Sequence, residues 1–150
     1  MILLPRRCML AVAAVADIAL HARPRPVAAK ALAARHNLPP RHLETLLQSL
    51  VHARILKGVR GPHGGYELAR ERRKISAGEI ARAALATSNA EDGDESARSA
   101  LIDDVITPIV EQAGRSFLAQ LDAISLEELC RTAEQRAPAT MVDAGEKYNI

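Results

Sequence analysis

The sequence predicts a mainly α-helical chain with one small β-hairpin, and three observations carry that prediction. Hydrophobic residues make up 48% of the 150 residues, yet Tyr66, Phe117 and Tyr148 are the only aromatics. A core of Ala, Leu, Val and Ile is the composition of packed helices. Leu43, Leu46, Leu47, Leu50 and Val51 recur at helical spacing and form one apolar stripe. The run Val59–Tyr66 then places Gly61, Gly64 and Gly65 between two short strand-like stretches, where glycine permits a tight reversal.

Taken in order, Pro5 starts a first helix that alanine-rich sequence continues from Met9 to Leu20. Arg23-Pro24-Arg25-Pro26 breaks it, because proline cannot donate and restricts its predecessor. Val27 to His36 reads as a second helix ended by Asn37, and Pro39 and Pro40 suit the first turn of a third. On that third helix Arg41, Thr45, Gln48 and His52 fall opposite the leucines, with Glu44 at the flank. Ile55–Val59 and Tyr66–Leu68 are the hairpin strands. Arg70–Lys74 is a basic run that reads equally as a solvated loop or as a phosphate contact. Ser76-Ala77-Gly78-Glu79 is a capping box opening a fourth helix to about Ala86.

Residues 87–97 are acidic and polar and read as a mobile loop. A long helical pattern follows from Arg98 to Leu121, with Leu101, Val105, Ile109, Phe117 and Leu121 in one row and Ile102, Ile106, Val110 and Leu118 beside it. Pro108 should kink or break it. A small domain cannot easily bury two such rows, so they are read as a dimerisation surface rather than as packing within one chain. Ser125-Leu126-Glu127-Glu128 is a second capping box, opening a terminal helix to about Arg136.

Charge divides the chain. Residues 1–75 carry 14 Lys/Arg against 4 Asp/Glu, and residues 76–150 carry 6 against 14. A basic half joined to an acidic half suggests a polyanion-binding module with a second module attached. Lys57, Arg60 and His63 decorate the reversal with no carboxylate between Lys57 and Tyr66. A helix followed by a basic hairpin is the arrangement of a winged helix-turn-helix, in which the helix reads base edges and the wing holds phosphates or enters the minor groove. The expected organisation is therefore a winged helix-turn-helix domain over 1–86, an acidic loop over 87–97, a dimerisation helix and C-terminal helix over 98–137, and a loose tail over 138–150. The expected partners are double-stranded DNA and a second copy of the chain.

Other classes are disfavoured. The glycines of the reversal lack the G-K-[ST] ending of a phosphate loop, no serine elbow or HExxH occurs, and the five histidines have no zinc spacing, so an enzyme is not expected. A module that binds RNA or protein without operator specificity remains an alternative, but stacking aromatics are scarce. Arg6-Arg7 followed by an apolar run imitates a signal peptide, yet apolar Ile2-Leu3-Leu4 precedes the arginines and the run is short. No stretch approaches the roughly 20 apolar residues of a membrane span. With only Cys8 and Cys130 a reducing cytoplasm is expected.

These elements, in this order over residues 5–136, resemble the Rrf-two-type family of bacterial transcription regulators. The most specific segments are HLETLLQSLVHARILKGVRGPHGGYELAR at 42–70 and ISAGEI at 75–80, with ISLEEL at 124–129 also fitting. The resemblance implies a homodimer on a partly palindromic operator, with the third helix in the major groove; a repressor is expected, with an activator as the alternative. It places Glu44 and Thr45 near base edges and Arg60 in the minor groove, with Gly61, Gly64 and Gly65 shaping the turn and Tyr66 anchoring the wing. Arg41 and Gln48 join them on the helical-face argument, and Arg6, Arg7 and Lys57 as sources of phosphate attraction.

The chain departs from the family in one respect. Cluster-binding members carry three cysteines before the long helix, and residues 87–97 contain none. The carboxylates there are poor substitutes for thiolates, so no cofactor is expected. Cys8 is the remaining sensor candidate: the helix dipole, Arg6 and Arg7 would favour a thiolate and hence a redox-sensing regulator. The alternative is a small buried hydrophobe. The sequence assigns no effector.

Overall fold

The computed structural model describes residues 4–88 and 99–136. Among the described residues six α-helices and one hairpin follow the order helix–helix–helix–hairpin–helix–helix–helix, with a short 3-10 turn at Arg72–Lys74 after the hairpin. Helix α1 spans Arg6–His21, α2 Ala29–His36, α3 Pro40–His52 and α4 Ala77–Ser88; strands β1 (Leu56–Val59) and β2 (Gly65–Leu68) lie between α3 and α4. The acidic residues 89–97, Arg98 and the tail from 138 lie outside the described residues.

Among the described residues no aromatic is fully buried, and close helix packing fills the core instead. Cys8, Ala11, Val15 and Ile18 form the buried stripe of α1, which lies against Ile80, Ala81 and Ala84 of α4. Alanines on both sides let the two backbones approach, and the larger volume comes from Leu32, Leu43, Leu47, Leu50, Ile55 and Leu126. Val51, expected in the leucine stripe, sits at its edge and is 36% exposed.

Helix α2 starts two residues later than the sequence suggests. Val27 is extended and exchanges two hydrogen bonds with Tyr66, Val27 N–H to Tyr66 O at 2.9 Å and Tyr66 N–H to Val27 O at 2.8 Å. A β-branched residue just after a proline suits that conformation. Asn37 ends α2 in the left-handed region (φ 51°), and Leu38 N–H reaches back to Ala33 O at 3.0 Å, closing the helix end. Arg54 closes α3 in the same way (φ 61°), with Ile55 N–H on Leu50 O at 3.0 Å.

The capping box of α4 is complete: Glu79 N–H donates to Ser76 Oγ and Ser76 N–H to the Glu79 carboxylate, both at 3.1 Å. In the second box Ser125 Oγ accepts from Glu128 N–H at 3.1 Å, and helix α6 covers Leu126–Arg136. The two helix starts are stitched together by Ala77 N–H to Ile124 O and Leu126 N–H to Ile75 O, each 2.8 Å.

Pro108 neither breaks nor sharply ends the long helix. A π-helical stretch over Ile102–Ile106 precedes the α-helical part, Thr107–Asp122, and together they form α5. The wider turn accommodates a ring that cannot donate and would crowd the preceding turn. The two apolar rows divide along α5. Leu118 and Leu121 pack on the chain's own core and Phe117 is half-buried, whereas Leu101, Ile102, Val105, Ile106, Ile109 and Val110 are exposed.

Candidate nucleic-acid interface

The leucine face of α3 is sunk in the core, so its opposite face is presented outward. Arg41, Glu44, Thr45 and Gln48 are all exposed there, starting at the helix N-terminal end. Next in the chain, β1 and β2 pair antiparallel with Leu56 opposite Leu68, Lys57 opposite Glu67, Gly58 opposite Tyr66 and Val59 opposite Gly65. The reversal carries Arg60, Gly61 and His63 at an exposed tip, closed by Gly64 N–H to Gly61 O at 2.9 Å.

The three glycines act differently. Gly61 takes φ 118°, a conformation that side chains rarely adopt. Gly64 is needed for space rather than for φ: a Cβ there would run into the Val59 carbonyl. A Cβ on Gly65 would run into the Val27 carbonyl and come within 2.8 Å of Ala28 N. Gly65 therefore lets the wing dock on the Val27 segment, and the half-buried Tyr66 ring anchors it to the core.

The cations expected to meet phosphate are not equivalent. Arg6 and Arg60 are exposed and Arg7 is half-buried. Lys57 faces Glu67 across the strands, Nζ to carboxylate 3.0 Å. Glu67 lies just past the carboxylate-free stretch, and pairing register, not sequence proximity, brings it opposite Lys57. An exposed pair of this kind holds less than about 1 kcal/mol, so Lys57 can be drawn to phosphate.

The Arg70–Lys74 run is mostly neither free loop nor free charge. Arg70 donates to Arg54 O and Lys74 O, each 3.2 Å, and pairs with Glu79. Arg72 reaches the Ala19 carbonyl, and Arg73 pairs with Glu71 at 2.9 Å. Arg70 and Arg72 thus brace the base of the wing, whereas Arg73 makes only an exposed pair with its near neighbour.

Cys8 is corrected from sensor candidate to core residue. It is 1% exposed, with Sγ 3.7 Å from Ala81 O in α4. Burial pushes its thiol pKa up, outweighing the attraction of Arg7. A thiol that is neither exposed nor ionised is a poor redox switch. Cys130 is also buried, and burial likewise raises its pKa.

Sequence reasoning missed Asp17. Although 7% exposed, it accepts from Arg35 Nε at 2.9 Å and Nη2 at 2.6 Å and from His36 Nε2 at 2.9 Å, with His21 Nδ1 3.3 Å away. An ionised carboxylate only accepts, so His36 must carry its proton on Nε2. The cluster ties α1 to the end of α2. Its one sequence signal is an acid within an apolar helix of the basic half.

Burial alone would raise the Asp17 pKa, but the hydrogen bonds from His36 and Arg35 and the nearby positive charge bring it down from 3.8 to about 2. A lowered folded-state pKa adds stability that is fully present above about pH 4 and is lost as pH falls through about 2, on the order of 2 kcal/mol. Denaturant titrations between pH 5 and pH 2 should show that loss, and Asp17→Asn should flatten it. An equal fall in both proteins would remove Asp17 as its cause.

A family profile described as "Iron-dependent Transcriptional regulator", that of Rrf2, matches residues 4–132. An HTH-type transcriptional regulator of Synechocystis sp., slr0846, is 37% identical over 119 residues, covering 79% of this chain and 80% of the relative. Other curated relatives match over 64–70 residues, spanning only 40–47% of their own length. Among solved structures, T. potens IscR superposes with a TM-score of 0.67 at 32% identity, over 89% of this chain and 90% of that one. CymR, the global cysteine regulator of B. subtilis, does so with a TM-score of 0.63 at 25% identity, over 88% and 98%.

The iron in the family description finds no match in the donor set. The chain's two thiols are both buried, and among the described residues no three His, Cys, Asp or Glu side chains are grouped to hold a metal. Residues of this kind do not fit a thiolate-ligated cluster.

Proposed function

Because this chain belongs to the Rrf2 family of bacterial HTH transcriptional regulators, we propose that it is a homodimeric repressor of a partly palindromic operator. The observation that supports this most is the pairing of an outward polar face on α3 with a basic wing docked beside it through Val27 and Tyr66. Arg41, Glu44, Thr45 and Gln48 contact base edges in the major groove, and Arg60 enters the adjacent minor groove. Arg6, Arg7, Lys57 and His63 add sequence-independent attraction to phosphate. Two copies joined through α5 place their recognition helices about one turn of duplex apart, roughly 34 Å.

The test is selection of bound duplexes from a random-sequence pool, followed by a salt titration on the selected duplex. Arg60→Ala is expected to weaken binding by on the order of 1–3 kcal/mol. It should also flatten the log–log salt slope by roughly 0.9 per protomer. Unchanged affinity and slope would take the wing out of the interface, and equal affinity for single-stranded RNA would count against operator recognition.

A further inference from the structure

A cleft of about 1140 Å³ opens at the base of the wing, between the end of α1, the end of β2, the turn Arg72–Lys74 and α6. It contains none of the residues assigned to DNA. Its volume lies just above the usual range of small-molecule sites, roughly 300–1,000 Å³. The floor is apolar, built from Ile18, Ala19, Ala22 and Leu68, and the lining holds six cations against three carboxylates.

The uncommitted charge is positive. Arg70, Arg72 and Arg73 are engaged by Glu79, the Ala19 carbonyl and Glu71, and Glu67 is held by Lys57. Arg131 reaches Glu127 only at 4.0 Å. Arg23 and Lys74 are exposed and make no ion pair within 4.0 Å among the described residues, although the charge of Lys74 also acts on Glu71. An apolar floor with two available cations on its rim complements a small molecule with anionic groups at the ends of a short apolar frame.

We propose that this cleft binds a small dianionic metabolite of that kind, its anionic groups on Arg23 and Lys74 and its frame on the apolar floor. The site is separate from the DNA interface and stands or falls without it. Because α6 and the wing base share the cleft, its occupant would bear on how the wing is held.

The test is an amide NMR titration of the full chain with glutarate, with inorganic phosphate in parallel. Expected are saturable shifts confined to Ala22–Arg23, Leu68–Lys74 and Arg131, with a Kd below about 1 mM. Phosphate, lacking the frame, should bind more weakly. The exposed pair Arg23→Ala and Lys74→Ala together should raise the Kd by about ten-fold or more while the remaining spectrum is kept. Failure to saturate, equal binding by the double variant, or shifts centred on α3 and the wing tip would each overturn the proposal. So would a duplex that perturbs the cleft amides as strongly as those of α3, which would give the cleft to the DNA backbone.

Discussion

Replacing Gly65 by alanine is expected to undock the wing and lower stability by about 2–4 kcal/mol, the range of a backbone clash combined with lost hydrogen bonds. The added methyl has no escape by rotation, because it meets backbone atoms of Val27 and Ala28 rather than the end of a flexible side chain. Relief requires separating β2 from the Val27 segment and giving up the two hydrogen bonds between Val27 and Tyr66. A fall in Tm of roughly 10 °C should accompany it for a chain of this size. Operator affinity should drop further than Arg60→Ala alone achieves, since every tip residue moves. Gly58→Ala is the control, because a Cβ there has nothing within 4 Å. Equal Tm values for the two variants would show that the Val27 contact does not hold the wing.

The second large effect is expected from Ile109→Glu. Ile109 is 65% exposed, and Leu101, Ile102, Val105, Ile106 and Val110 surround it with further uncovered aliphatic surface on α5. Within one chain a glutamate there touches water and costs little, so helix content and Tm at low concentration should be kept. In a dimer built on this face, the carboxylate would be buried without a partner, at a cost of several kcal/mol. The variant should therefore be monomeric at micromolar concentration and bind a two-half-site duplex about 100-fold more weakly, while retaining non-specific binding. A dimeric Ile109→Glu with full affinity would move the subunit contact elsewhere.

The features legible in the sequence are those that local chemistry determines. The leucine spacing of α3, the Ser76–Glu79 box and the glycine reversal each depend on residues within a few positions, and each appears where expected. What could not be read depends on packing between distant segments. Asp17 finds its partners 18 and 19 residues away. Val27 left the second helix because Tyr66, far along the chain, offered it a strand-like partner. Cys8 shows the conflict most clearly: neighbouring arginines and a helix start favour a thiolate, but contact with α4 buries the sulfur and reverses the shift. The ion pair of Lys57 with Glu67 was hidden for a related reason, since register alone places the two opposite each other.

Operator recognition as proposed depends most on two copies joining through α5 to present two recognition helices to one duplex. Light scattering of the purified chain, alone and with a duplex selected by the protein itself, tests this directly. The chain's mass is 16.2 kDa, so the prediction is twice that, 32.4 kDa, for the free protein and two chains per duplex in the complex. A free mass of 16.2 kDa with no complex at low ionic strength would contradict it.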